Sequence, residues 1–75
     1  MPLYWMTYDT NDGLTVVVQP SHSLIYARLM HEKGKDWTFK EAHPIDAATA
    51  KKIPQNSIGK ALTVKQAEAL LKKMG

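Results

Sequence analysis

The chain has 75 residues, of which 44% are hydrophobic and 23% are charged, and its formal net charge is +3. This length allows one domain with a small core, and this composition is too apolar for a disordered chain. The absence of cysteine excludes disulfides, zinc–thiolate sites and thiol catalysis.

The apolar runs, such as residues 16–18 and 24–27, are all too short to span a bilayer. The first nine residues, MPLYWMTYD, lack the basic and apolar regions of a signal peptide. We therefore expect a cytoplasmic protein, of bacterial type, that makes no membrane contact.

The first two predicted elements are strands joined as a hairpin. Residues 3–8 are rich in aromatic and apolar side chains, and residues 14–19, LTVVVQ, are β-branched, which is typical of strands. The stretch between them, DTNDG, ends in Gly13, which can take the positive φ that a tight turn needs. The sequence predicts antiparallel pairing, with Pro20 ending the second strand.

The next segment, SHSLIYARLMHEKG, predicts a helix that Ser21 or Ser23 caps and Gly34 ends. On a helical wheel, one face holds Ile25, Tyr26, Leu29 and Met30. The opposite face holds Arg28, His31 and Glu32. Strand alternation also fits residues 24–33 loosely, so a strand stays open as the alternative.

Residues 37–43, WTFKEAH, predict a third strand that Pro44 ends. A helix between the second and third strands makes a crossover, which favours a third strand parallel to the second. Asp46 then caps a short predicted helix over residues 47–52, and Pro54 stops this helix.

The last predicted helix has the clearest start signal, because Thr63 and Gln66 have the spacing of a capping box. An apolar stripe at helical spacing follows, made of Val64, Ala67, Leu70, Leu71 and Met74. The sequence as a whole predicts one small α+β domain over residues 1–75. Its expected order is β-β-α-β-α-α, with a three-stranded sheet packed by helices.

The positive charge is concentrated in the C-terminal part of the chain. Residues 1–45 sum to −1, whereas residues 46–75 hold six lysines against two carboxylates and sum to +4. One interpretation is a phosphate-contacting surface, with the candidate nucleic-acid-binding residues Lys51, Lys52, Lys60, Lys65 and Lys72. The other is a solvated helix face, because arginine is scarce and residues 46–75 contain no aromatic residue to stack on bases.

The Gly59-Lys60 pair does not make a phosphate-binding loop. Pro54 and Ala61 occupy the positions where that motif needs a glycine and a hydroxyl residue. We expect instead a turn in which Gly59 is left-handed.

The histidines indicate neither a metal site nor a catalytic centre. No pair has metal-ligand spacing on one helix face, so neither a metal nor a cofactor is predicted. His43, between Glu41 and Asp46, is the only candidate general base, and we assign no catalytic residue.

Our first hypothesis is therefore a non-enzymatic interaction domain that binds a protein or associates with itself, since small domains often complete their core by association. Leu24, Tyr26 and Met30 are the expected contact residues if the first helix is not fully covered. The alternative is weak, salt-sensitive binding of nucleic acid through the lysine-rich C-terminal helices, and an enzyme comes third.

Overall fold

The computed structural model describes residues 1–75 as a four-stranded antiparallel sheet with helices on both faces. The strands are β1 (Leu3–Thr10), β2 (Gly13–Pro20), β3 (Thr38–Ile45) and β4 (Ala61–Thr63). The helices are α1 (Leu24–Glu32), α2 (Ala47–Ala50) and α3 (Val64–Met74), with a 3₁₀ turn at Gln55–Ser57. The α+β class is confirmed. Residues 24–33, which fitted both a helix and a strand pattern, contain the helix α1.

The predicted hairpin forms, and both of its strands are longer than expected. β1 and β2 pair from Leu3 opposite Pro20 to Thr10 opposite Gly13, which leaves a two-residue connection. Gly13 has a φ of 100°, which a residue with a Cβ adopts only with strain. The turn chemistry of this stretch therefore decides where the chain reverses.

The sheet has four strands rather than the three expected. The sheet order is β3-β1-β2-β4, and every neighbouring pair is antiparallel. β2 and β3 therefore run in the same direction, but β1 lies between them. β4 falls where a turn between two helices was expected, because three residues are too few to show a strand pattern.

Two predicted boundaries are also corrected. Pro44 does not end β3, because it lies inside the strand and pairs with Tyr4. A proline is tolerated there because β3 is an edge strand, with no neighbour on its outer side. α2 is shorter than predicted and ends at Ala50, although Asp46 caps it as expected and accepts a hydrogen bond from the Thr49 N–H at 3.2 Å.

Side chains alternate across the sheet and form two separate cores. On one face, the helices after β3 enclose a cluster of Leu3, Val16, Val18, Ile53, Leu62, Ala67 and Leu70. On the other face, α1 covers a smaller cluster of Met6, Tyr8, Val17 and Ala27. The helix α1, which has nine residues, is thus the only helix on the second face.

Candidate protein-interaction face

The helix α1 lies on the sheet with its polar side inward and its large apolar side chains outward. Ala27 is fully buried, whereas Ile25, Tyr26, Leu29 and Met30 are 71%, 63%, 55% and 61% exposed. A helix on a folded core normally has the opposite arrangement. We call the four exposed side chains the outer stripe.

The first turn of α1 is anchored by two serines. Ser23 Oγ accepts a hydrogen bond from the Tyr26 N–H at 3.3 Å, and Ser21 Oγ accepts one from the Ser23 N–H at 3.3 Å. Ser21 is buried, and its own N–H donates to the Pro2 carbonyl at 3.0 Å. These bonds fasten the start of the helix beside the start of β1.

A charged network, rather than large apolar side chains, holds the inward side of α1. Arg28 donates to Glu32 through Nε at 2.7 Å and through Nη2 at 3.2 Å. Glu32 also accepts from the Tyr8 hydroxyl at 2.8 Å, and the Arg28 guanidinium lies 3.9 Å from the centre of the Phe39 ring. Both members of this ion pair therefore have their partners within the chain.

An aromatic cluster centred on Tyr8 lies beneath α1. The Tyr8 ring centre is 5.3 Å from that of Trp37 and 5.8 Å from that of Phe39, and Tyr8 is fully buried. Burial, followed by the neighbouring Glu32 carboxylate, raises the pKa of Tyr8 well above its ordinary value. The hydrogen bond from Arg28 is the main cause that lowers the pKa of Glu32. At neutral pH the tyrosine is protonated and donates to an ionised carboxylate.

The imidazole of His31 makes the second polar contact on the inward side. Its Nε2 lies 2.7 Å from Oε1 of Gln19 on β2, so this nitrogen carries the proton. Burial, and to a smaller extent the charge of Lys35, lowers the pKa of His31 below its ordinary value of 6.5. The folded protein therefore favours the neutral form of the ring.

A depression lies along one side of the outer stripe. Ile25, Arg28, Leu29 and Glu32 line a cavity of about 170 Å³. Their spacing is i, i+3, i+4, i+7, and four residues so spaced form the hole that receives a side chain from a facing helix. The exposed face of α1 therefore combines a depression with an apolar surface.

The sheet edges are less suited to a partner than α1. At the β3 edge, the register against β1 shifts at Lys40, and Pro44 lies further along the same strand. A bulge and a proline both disfavour pairing with another chain. At the other edge, β4 has only three residues, which is too short to serve as a template for another strand, and next to it the Gly59 N–H donates to the Val18 carbonyl at 2.7 Å. Both edges are thus protected, whereas the outer stripe is open.

Among the lysine candidates, Lys60 shares a cavity with another lysine, Lys73. The two line a cavity of about 430 Å³ beside α3, together with Asn56, Ser57 and Gln66. Gly59, immediately before Lys60, has a φ of 77°, so the predicted left-handed turn is confirmed. Lys73 belongs to the same set of six C-terminal lysines, and its position in the last turn of α3 is visible from the helical pattern.

The other lysine candidates lie apart from this cavity. Lys65 lines a second cavity next to the β1–β2 turn, and Lys51 lines a third near the N-terminus. Lys52 Nζ donates to the Met74 carbonyl at 3.4 Å, at the end of α3. Lys72 is in the last turn of the same helix.

The candidate base, His43, is on the exposed edge strand. Its side chain is 64% exposed, and its Nε2 is 3.6 Å from Glu41 Oε2. His43 also lines a cavity of about 260 Å³ with Trp5, Asp46 and Thr49. The Asp46 carboxylate in this cavity already accepts hydrogen bonds from Thr49, where it caps α2.

The structure contains no group of three or more histidine, aspartate or glutamate side chains placed to hold a metal ion. None of its helices has the length and hydropathy needed to cross a bilayer.

Helical periodicity groups the outer stripe on one face but does not say which face meets the sheet. Arg28 and Glu32 give no sequence signal for an inward position, because their partners come from distant strands. The small residue Ala27 is the one available signal, since a small side chain allows close approach of a helix to a sheet.

Of the three expected contact residues, Tyr26 and Met30 are exposed, as contact residues must be, whereas Leu24 is partly buried against the sheet.

The sequence matches no protein-family model, and the chain has no significant match among curated proteins or solved structures. The functional argument therefore rests on the geometry of the chain itself.

Proposed function

We propose that the protein is a non-enzymatic, cytoplasmic interaction domain that binds a protein through the outer stripe of α1. The observation that supports this proposal is the orientation of α1. Its four large apolar side chains are each more than half exposed, while Arg28 and Glu32 are paired on the inward side. Contiguous apolar surface of this kind marks interaction sites on folded proteins.

The area of the outer stripe agrees with this role. Side chains of this size have roughly 200 Å² of surface each, so at their observed exposures the four present on the order of 500 Å² to water. The largest apolar patch on a typical monomer is about 300–600 Å² and is often functional. Covering the stripe would gain about 25 cal/mol for each Å² removed from water.

The test is site-specific photo-crosslinking in cells, with a photoreactive amino acid placed at Leu29 or at Leu71. Leu71, on α3, is a matched control because it is 51% exposed, against 55% for Leu29. We expect a discrete covalent adduct from position 29 and none from position 71. Equal cross-linking at both positions, or none at either, would contradict the proposed function.

A second candidate function is weak, salt-sensitive binding of nucleic acid by the C-terminal lysines. The observation that favours it is the cavity that Lys60 and Lys73 share with Asn56, Ser57 and Gln66. Two ammonium groups beside neutral hydrogen-bond donors suit a phosphate oxygen. Such contacts give affinity without base specificity and weaken steeply with salt.

An amide NMR titration with short mixed-sequence DNA and RNA tests the second candidate. At low salt we expect shifts confined to residues 51–73, and these shifts should disappear at moderate salt. Lys60→Glu should abolish them, whereas Lys40→Glu, on the exposed edge strand, should leave them unchanged. Absence of shifts at low salt would eliminate nucleic-acid binding.

A further inference from the structure

The partner that best fits the outer stripe is a second copy of the chain. We propose that two copies associate through their outer stripes, with the two α1 helices antiparallel across a two-fold axis. This inference rests on the proposed function and adds the identity of the partner. Charge, area and shape each support it.

The outer stripe is compatible with itself because it carries no charge. In a two-fold interface the same surface meets its own copy, so an ionic group near the axis would face its like. Arg28 and Glu32, the charged side chains beside the middle of the stripe, are joined to each other at 2.7 Å, and Lys33 lies only beyond its C-terminal end. The four stripe residues offer no charge that could attract an acidic or a basic partner. A second copy of the stripe is itself uncharged and requires no such attraction.

The apolar area also corresponds to one half of a dimer interface. A standard-size interface takes about 800 Å² from each partner, and about 65% of it is apolar in homodimers. The outer stripe presents on the order of 500 Å² of apolar surface, which is about that share. The stripe is thus large enough for a specific but concentration-dependent dimer.

The shape of the stripe selects the antiparallel arrangement. Its four positions are symmetric about a point between residues 27 and 28. A two-fold axis through that point sets Ile25 against Met30 of the second copy, and Tyr26 against Leu29 of the second copy. The Tyr26 ring then meets the hole that Leu29 lines with Ile25, Arg28 and Glu32. A parallel pair would instead set each stripe residue against itself and leave this hole without a large side chain opposite it.

Sedimentation equilibrium over a wide range of protein concentration tests self-association directly. We expect a reversible monomer–dimer equilibrium for the wild type and for Leu71→Lys. Leu29→Lys should raise the dimer Kd by at least about 100-fold, because it puts a charge at the interface centre in both copies. Lysine is a good helix former, and position 29 is exposed, so the variant should stay folded by circular dichroism.

Disulfide trapping tests the antiparallel arrangement, and the chain has no native cysteine to interfere. Ile25→Cys and Met30→Cys are oxidised separately and as a mixture. Antiparallel helices predict efficient cross-linking only in the mixture. Efficient cross-linking of either variant with itself would overturn this geometry.

The outcomes separate this inference from the proposed function. If the wild type is monomeric at all concentrations but position 29 cross-links to a different protein, self-association is overturned and the proposed function stands. If Leu29→Lys dimerises as well as the wild type, the outer stripe is not the dimer interface. If the monomeric wild type binds phosphatidylcholine–phosphatidylserine vesicles and Leu29→Lys does not, a membrane is the partner and both proposals fail.

Discussion

The carboxylate of Glu32 joins three elements of the fold at one point. It is bonded to Arg28 on its own helix and to Tyr8 on β1, while Arg28 covers Phe39 on β3. A buried hydroxyl or charge without a partner would cost about 1–3 kcal/mol, and each polar group of this network has a partner. The network thus attaches α1 to the sheet, as large apolar contacts usually do beneath a helix.

Removing the Tyr8 hydroxyl should weaken this attachment. Tyr8→Phe loses the 2.8 Å bond to Glu32 but leaves the carboxylate paired with Arg28, so we expect a loss of about 1 kcal/mol in unfolding free energy. Urea denaturation measures it. Tyr26→Phe is the control, because Tyr26 is 63% exposed and should change stability by less than about 0.5 kcal/mol. Equal effects of the two changes would show that the Tyr8–Glu32 hydrogen bond contributes nothing to stability.

Acid should destabilise the fold through His31 before it reaches any carboxylate. Its folded pKa is lowered below 6.5, so on acidification the unfolded chain takes up its proton first. The stability of the neutral form is fully present above about pH 6.5 and is lost as the pH falls through the folded pKa. The pKa of Glu32 is also lowered, so the stability that its carboxylate contributes is lost only at pH values below its ordinary pKa of 4.5.

Denaturation curves at pH 7.5 and pH 5.5 check this expectation. His31→Gln should reduce the difference in stability between the two pH values, because glutamine does not titrate. His22→Gln, at an exposed position, should leave the difference as it is in the wild type. An unchanged pH dependence in His31→Gln would exclude His31 as its source.

At the scale of elements, the predictable features are those whose signals lie within a few residues. Gly13 marks the hairpin turn, and Thr63 with Gln66 marks the start of α3, and both are correct in the structure. β4 could not be predicted, since its three residues become a strand only by pairing with β2. The rotation of α1 could not be predicted either, because it depends on Tyr8 and on β3, which are distant in sequence.

The capping box of α3 should contribute measurably to stability. Thr63 Oγ1 accepts from the Gln66 N–H at 3.2 Å, and Gln66 Oε1 accepts from the Thr63 N–H at 3.0 Å. Thr63→Ala removes the first bond, and we expect a loss of about 1 kcal/mol. Lys65→Ala, in the same turn and exposed, should change stability by less than about 0.5 kcal/mol. Chemical denaturation compares the two variants, and a Thr63→Ala protein as stable as the control would contradict this role.

Across the whole molecule, the sheet separates two surfaces of different character. Its α3 face has the larger buried cluster, and α3 itself carries Lys65, Lys72 and Lys73. Its α1 face has the smaller cluster and ends in the uncharged outer stripe. A protein bound at the stripe would therefore leave the Lys60 cavity free, and the two candidate functions do not exclude each other.

Self-association should also appear in thermal unfolding. A dimer that dissociates on unfolding gains stability by mass action, so its Tm rises with protein concentration. We expect this rise for the wild type and for Leu71→Lys, and a constant Tm for Leu29→Lys. Differential scanning calorimetry over a hundredfold range of concentration measures it. A wild-type Tm that does not change with concentration would contradict the dimer.

The sheet order also constrains the sequence of folding events. The β1–β2 hairpin is local and needs only residues 3–20, so it is the natural nucleus. The other side of β1 stays unpaired until β3, beginning at Thr38, closes a long loop that contains α1. Glu32 and His31 contact Tyr8 and Gln19 of the hairpin itself, so α1 can dock before that loop closes, whereas the contact between Arg28 and Phe39 must form late. The helix proposed for recognition should therefore be in place before the β3 edge of the sheet is complete.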